Sequence, residues 1–231
     1  IKEFTREAHK YGALVCVDAV AYMPHRMIDV RAADVDFFVF SFYKTYGPHY
    51  AMMYGKIDLL NKLPGFNHFF IKEPPYKFQP GNYNFEFAYG LGALPDYFAD
   101  LAVKHGYAGN NSRDRFDHIY SLIEKHEEEL SEKVLNYLTS RKDIKIIGPR
   151  ASSSDIRVPT ISFVQKNRDS REITLKTDEH KVAIRWGHFY AYRLIKDLDL
   201  QIQNGVVRIS LVHYNSLEEA DRLIEALDHA L

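Results

Sequence analysis

Ala13-Leu14-Val15-Cys16-Val17-Asp18 and Asp36-Phe37-Phe38-Val39-Phe40-Ser41-Phe42-Tyr43-Lys44 are two short apolar runs that each close on polar residues, the second leading into Thr45-Tyr46-Gly47-Pro48. An unbroken apolar run predicts a parallel strand buried on both faces. An Asp ends the first run, and a Ser-x-x-Lys ends the second. Open α/β sheets bind their ligands at the carboxyl ends of parallel strands. Burying an Asp or a Lys without a partner is costly, so both need a reason to be there.

Working outward, residues 1–11 have helical spacing (Ile1, Phe4, Ala8, Tyr11), with Gly12 at the position that ends a helix. A third strand is expected at 50–54 and a short helix from Lys56 to Leu63. The chain starts without Met, in α-then-β order, and offers fewer strands than an alternating α/β sheet normally holds. The expectation is a piece of a longer protein that lacks its amino-terminal elements.

Phe69-Phe70, Pro74-Pro75-Tyr76 and Phe78-Gln79-Pro80-Gly81-Asn82-Tyr83-Asn84 combine turn formers with aromatics. Two readings stay open: a surface that meets a second subunit, or a connecting loop whose aromatics cover the core. Glu86 to Ala102 reads as one mostly apolar helix despite Pro95. Gly109-Asn110-Asn111-Ser112 marks a domain boundary, giving domains of residues 1–110 and 111–231. A long amphipathic helix then runs from Arg113 to Ser140. Strands are expected at Ile144–Ile147, Val158–Val164, Val182–Trp186 and Val206–Leu211, with a helix near Arg171–Lys181. Ser216-Leu217-Glu218-Glu219 is a capping-box start for a last helix.

Composition narrows the class. The 231 residues carry 30 basic and 31 acidic side chains, a formal charge of −1, which argues against a nucleic-acid partner. No apolar stretch is long enough to span a bilayer and no signal peptide is visible, so no membrane partner is expected. The single cysteine, Cys16, lies inside the first apolar run and reads as a core thiol in a reducing compartment, which places the chain in the cytoplasm.

Several motifs fail on their context. Ser41-x-x-Lys44 matches a serine-nucleophile motif, but neither Ser-Asp-Asn nor Lys-Thr-Gly accompanies it. Gly47 and Gly55-Lys56-Ile57 are too far apart for a phosphate-binding P-loop. The eleven histidines show no zinc spacing, so no metal is expected. Pyridoxal 5′-phosphate chemistry survives. That cofactor needs an amine to hold it as an imine, which Lys44 can supply, and an anion beside its pyridine nitrogen, which Asp18 can supply. Its phosphate needs hydroxyl and backbone donors, and Ser41 lies close to the lysine in the chain. An amino-acid substrate also needs a guanidinium for its carboxylate, and Arg185 or Arg208 could serve.

The ordered set Val17-Asp18-Ala19-Val20, Pro24-His25, Ile28-Asp29-Val30, Asp34-Val35-Asp36-Phe37, Ser41-x-Tyr43-Lys44-x-x-Gly47-Pro48, Gln79-Pro80-Gly81-Asn82, Arg185-Trp186-Gly187-His188 and Val207-Arg208-Ile209-Ser210 resembles the core of class V aminotransferases. The most similar branch is that of cysteine desulfurases and isopenicillin N epimerases. The resemblance implies fold type I: the later part of a large, mostly parallel α/β cofactor domain, followed by a small α+β carboxyl-terminal domain. It implies that Lys44 is the Schiff-base lysine, Asp18 the pyridinium partner and Val20 part of the cofactor site. Ser41 and Tyr43 would bind phosphate, and Asn82 would reach the phosphate of a neighbouring subunit in a homodimer with shared active sites. Arg208 matches the substrate-carboxylate arginine better than Arg185.

Three departures from the family pattern bear on the reaction. Ala21 stands where relatives carry a Gln that bonds the cofactor's phenolic oxygen. Phe189-Tyr190-Ala191 stands where desulfurases place a nucleophilic cysteine, which argues against persulfide chemistry and leaves aminotransfer or lyase-type chemistry on an amino acid. The elements that stack on the cofactor ring would precede Ile1. The alternatives are a truncated, catalytically inactive piece and a non-catalytic binding module of the same fold.

Overall fold

The computed structural model describes residues 1–79 and 81–231; Pro80, in the Gln79–Asn82 motif, lies outside the described residues. The chain forms two compact units, Ile1–Tyr120 and Ser121–Leu231, and the division falls within one long helix. Among the described residues no helix is long and apolar enough to cross a membrane.

The first unit opens with α1 (Lys2–Lys10). Gly12 follows it at φ +69°, and the amides of Gly12 and Ala13 close onto His9 and Ala8 carbonyls, so glycine ends the helix as its backbone freedom predicts. Strand β1 (Cys16–Asp18) pairs in parallel with β2 (Phe37–Ser41), which pairs antiparallel with β3 (Ala51–Gly55). After β3 come α2 (Ile57–Lys62), α3 (Phe85–Gly90), α4 (Ala93–Lys104) and the start of α5 (Ser112–Ser140). The single helix expected over 86–102 is two helices. Asn84 caps the first by accepting the Phe87 amide at 2.7 Å, and the second begins at Ala93, so Pro95 falls in a first turn where a missing N–H costs nothing.

Burial corrects the expectation that both apolar runs are covered on both faces. One face of the sheet is packed: Val15, Phe38 and Phe40 join Ala19, Ala33 and Val35 in a core. The other face carries Leu14, Cys16 and Asp18, all exposed, beside half-buried Phe37, Val39 and Ser41. Cys16 is therefore exposed, not a core thiol. Alternation along a strand sends Cys16 to the opposite face from Val15, and no element among the described residues covers that face. The aromatic segment is mixed: Phe69 is 91%, Phe70 65% and Tyr76 62% exposed, while Phe78 and Tyr83 are half-buried. It is nonetheless well built. The Asn67 side-chain amide donates to the Tyr76 and Gln79 carbonyls, and the 4%-exposed Lys77 sends its ammonium to the Asn61 and Leu63 carbonyls.

The second unit is an antiparallel sheet in the order β4-β5-β7-β6, from β4 (Ile144–Ile147), β5 (Thr160–Gln165), β6 (Arg185–Gly187) and β7 (Val206–Ser210). Three further helices are α6 (Ser170–Glu179), α7 (Tyr192–Asp197) and α8 (Leu217–Ala230). Leu130, Val134 and Leu138 of α5, Ile161 and Phe163 of β5, Ile173 of α6 and Leu223 and Leu227 of α8 share one core. The capping box of α8 forms as read: Ser216 Oγ accepts the Glu219 amide, and Glu219 accepts the Ser216 amide at 3.0 Å. Helix α7, one and a half turns long, carries too short a pattern to register in the sequence.

The start of β2 holds the first unit together. Asp36 is buried, and its carboxylate accepts the Val15 amide at 2.7 Å, His9 Nε2 at 2.8 Å and Lys56 Nζ at 3.0 Å. Burial pushes this carboxyl up, but the hydrogen bonds from His9, Val15 and Lys56 outweigh it and hold it below its ordinary value. Asp34 is also held down, first by its hydrogen bond with Lys56, and Lys56 is raised above its usual value by the same Asp34 bond. The lowered carboxyls contribute stability that is present above about pH 4 and is lost as pH falls through their folded values. The raised Lys56 contributes below its unfolded value and loses that contribution as pH rises through the folded one. Asp36→Asn should destabilise the first unit by about 1–3 kcal/mol at neutral pH, the cost of buried donors left poorly matched. Hydrogen exchange at the Val15 amide reads this directly; protection should fall at pH 7, and the difference from wild type should shrink below about pH 4.

Candidate active site

Because β1 and β2 are parallel, they end at the same edge of the sheet. Asp18 lies opposite Val39, the Ala19 amide donates to the Val39 carbonyl at 2.8 Å, and β2 continues two residues further to Ser41. Adjacent strands are about 4.8 Å apart, so the Asp18 carboxylate and the Ser41 hydroxyl share one face and one end of the sheet. Asp18 Oδ1 accepts the Val20 amide at 3.1 Å, which folds the chain sharply after the strand. Among the described residues its second oxygen has no partner, and neither has the Ser41 hydroxyl.

Lys44 sits in the hairpin that joins β2 to β3. Residues Phe42–Lys44 make a single 3₁₀ turn, and the amides of Thr45 and Gly47 both donate to the Phe42 carbonyl, at 2.7 and 2.8 Å. Gly47 fits a tight place: an added Cβ would lie 3.1 Å from the Phe42 Cβ and 3.2 Å from a Leu94 methyl, so the neighbours would have to shift. The Tyr46 hydroxyl ties the turn down by donating to the Pro24 carbonyl at 2.9 Å. Lys44 is thus fixed in its backbone and exposed in its side chain. Its Nζ lies 5.7 Å from the Tyr43 ring centre and, among the described residues, has no hydrogen-bond or ion-pair partner. Tyr43 stacks on His49 with ring centres 5.0 Å apart, a contact that no sequence signal marked.

The remaining expected residues lie elsewhere. Asn82 is exposed at φ +56°, a left-handed backbone that Asn tolerates well, in the turn before α3. Arg185 and Arg208 belong to the second unit and are register partners across β6 and β7. Arg185 is exposed and donates to the carbonyl of its own neighbour Ile184. Arg208 is half-buried, its Nε is enclosed without a hydrogen-bond acceptor, and burial pushes its pKa down. Its guanidinium carbon lies 3.8 Å from the ring centre of Phe189. The sequence had marked Phe189 only for the thiol it lacks.

These donors suit pyridoxal 5′-phosphate: an uncommitted amine, a carboxylate with a spare oxygen and a free hydroxyl all come from the ends of β1 and β2. Ala21, exposed three residues beyond Asp18, offers the cofactor no side-chain bond. The profile of the family described as Aminotransferase class-V matches residues 1–223. The chain belongs to the class V aminotransferase family. An aminotransferase-like protein, FGM3, of Gibberella zeae is 36% identical over 223 residues, covering 95% of this chain and 52% of the relative. A cysteine desulfurase of Enterobacter sp. is 30% identical over 241 residues, covering 98% and 53%. Among solved structures, the cysteine desulfurase CsdA of Escherichia coli superposes with a TM-score of 0.77 at 23% identity, covering 99% of this chain and 54% of that one. The apo cysteine desulfurase of Thermococcus onnurineus NA1 gives 0.77 at 24% identity, covering 99% and 55%. The fold is therefore that of part of a fold type I enzyme, and the chain spans about half the length of the relatives it matches. Class V aminotransferases and cysteine desulfurases use pyridoxal 5′-phosphate.

The exposed face beside Asp18 gives a direct test of the geometry. Cys16, two residues before Asp18 on that face, should react with a maleimide or with Ellman's reagent in the folded chain at a rate close to that of a free thiol. Labelling that required denaturant would contradict the uncovered face.

Proposed function

We propose that this chain carries the cofactor-holding and carboxylate-binding residues of a pyridoxal-phosphate-dependent enzyme that acts on an amino acid. The observation that carries the reading is the amine of Lys44, which has no hydrogen-bond or ion-pair partner among the described residues and is held in a fixed hairpin just beyond the end of the strand beside Asp18. When bound, the cofactor supplies an electron sink for a carbanion at the substrate's α carbon. Lys44 contributes the amine that fixes the cofactor's aldehyde carbon, and the same amine can carry a proton once released. The spare oxygen of Asp18 keeps the pyridine nitrogen protonated. Val20, through the backbone that binds Asp18, with Ser41 and Tyr43, provides the surrounding contacts and phosphate donors. In the second unit, Arg208 receives the substrate carboxylate and Arg185 is the lesser candidate.

On this reading residues 1–110 are the later part of the cofactor domain, and 111–231 the small domain. The working form is a homodimer in which Asn82 serves the partner's cofactor; the exposed Phe66, Phe69 and Tyr89 support an interface. The reaction is aminotransfer or a lyase-type step, because Phe189-Tyr190-Ala191 offers no thiol for persulfide formation.

Adding pyridoxal 5′-phosphate should produce the visible absorbance of a protein-bound imine, and borohydride should trap a covalent adduct that peptide mass spectrometry locates on Lys44. Lys44→Ala should abolish both. Asp18→Ala should weaken retention by about tenfold, the loss of one hydrogen bond to a charged group. An adduct on other lysines with Lys44 unmodified would overturn the assignment.

A further inference from the structure

Arg208 sits mid-strand in β7, between Ser162 of β5 and Arg185 of β6. Its surroundings are unusual for a half-buried cation: among the described residues no carboxylate pairs with it, and its Nε has no acceptor. Buried cations are normally matched by an acid, because the unpaired charge is costly. Here the partner is an aromatic face, with Phe189 stacked at 3.8 Å.

The loop that delivers Phe189 is held in an unfavourable backbone. Phe189 and Tyr190 have φ of +47° and +64°, two consecutive bulky residues in the left-handed region. Local bonds fix this turn: the Tyr190 amide donates to His188 Nδ1 at 3.1 Å, and the Ala191 amide donates to the His188 carbonyl at 2.7 Å. At its base the chain passes so close to Gly205 that any Cβ there would collide with the Gly187 carbonyl. Phe189 is partly buried and packs against the small core formed by Val164, Ile195, Leu200 and Val206, so the ring has apolar contacts besides the guanidinium.

We infer that Phe189 is a positioning residue: it stacks on Arg208, holds the guanidinium plane fixed and keeps it unneutralised, so that its N–H edge is preorganised for a carboxylate. A face-on ring occupies the π surface of the guanidinium and none of its five donors. An Asp or Glu in the same place would occupy the edge and compete with the incoming carboxylate. The inference rests on the reading of Arg208 as the carboxylate receptor. It adds to that reading the residue that sets the receptor's orientation, on the loop where the sequence shows an aromatic pair and no nucleophile.

The test uses the Nε–Hε resonance of Arg208, assigned by its loss in Arg208→Lys, with L-alanine as the carboxylate probe and sodium chloride at equal ionic strength as the control. In the wild-type chain the resonance should be shifted upfield by the ring and should move with L-alanine but not with chloride. In Phe189→Leu the ring shift should vanish, and the apparent dissociation constant for L-alanine should rise about threefold to tenfold, the range of a cation–π contact. Phe189→Tyr should restore both. Should the leucine variant not fold, Phe189→Met keeps the apolar volume and faces the same two readouts. A folded leucine or methionine variant with wild-type affinity overturns the positioning role while Arg208 remains the receptor. A wild-type resonance that ignores L-alanine overturns the receptor reading itself, and the positioning role with it.

Discussion

One buried carboxylate, Asp36, sets the geometry on which the first unit depends. It binds the Val15 amide ahead of β1, the imidazole of α1 and the ammonium that follows β3, while its own backbone joins both neighbouring segments through the Val15 and Lys56 bonds. A single side chain thereby anchors a helix and three strands at one end of the sheet. Register follows from that anchor. With Asp36 fixed beside Val15, Cys16 must lie opposite Phe37, and Asp18 opposite Val39. A slip of one residue would turn Asp18 to the packed face, against Phe38 and Phe40, where an unpaired carboxylate is not tolerated. The structural charge at one end of the strands therefore determines where the chemical charges emerge at the other.

At that other end, two devices keep Lys44 available. The hairpin is closed by backbone bonds to the Phe42 carbonyl, and Tyr46 and Gly47 satisfy the turn without using the lysine. Among the described residues no carboxylate pairs with it, so the amine is not neutralised by an ion pair. The contrast with Lys77 is instructive. That lysine is buried and its ammonium is taken up by two carbonyls, which serves the fold of the aromatic loop. Two lysines of one unit thus show opposite design: one directs two of its three donors to structural carbonyls, and the other, among the described residues, directs none to an acceptor.

Much of this was legible in the sequence because it is local. Apolar runs of the right length, a glycine after α1, the Ser216 capping box and the polar residues ending the runs all act within a few positions. The parallel pairing that joins Asp18 to Ser41 was also recoverable, since strand order and the family pattern agree. What escaped was set by long-range packing. The pattern 13–18 reads as buried on both faces, but burial depends on what covers the sheet, and Cys16 emerged exposed. Asp36 looked like one acidic letter at a strand start, because its partners stand at His9, Val15 and Lys56. Pro95 looked like a defect in one helix, and became the first turn of another. Phe189 and Arg208 are nineteen residues apart in sequence and meet only through the pairing of β6 with β7.

The loop at 188–191 carries a physical contradiction that the rest of its unit resolves. Two adjacent non-glycine residues in the left-handed region cost of order 1–3 kcal/mol each, and a chain does not keep that conformation without compensation. Partial burial of the Phe189 ring against the core of Val164, Ile195, Leu200 and Val206 offsets part of the cost, and the guanidinium contact offsets more. The two bonds to His188 hold the turn locally. The same strain has a consequence for Tyr190, which is 100% exposed and gains only an edge contact with the His188 ring at 6.4 Å in return. Its left-handed φ is the price of turning the chain immediately after Phe189, before α7 begins. A loop built this way is stiff where it touches Arg208 and bare where it faces solvent. That combination suits a loop whose aromatic ring holds the neighbouring guanidinium in one orientation.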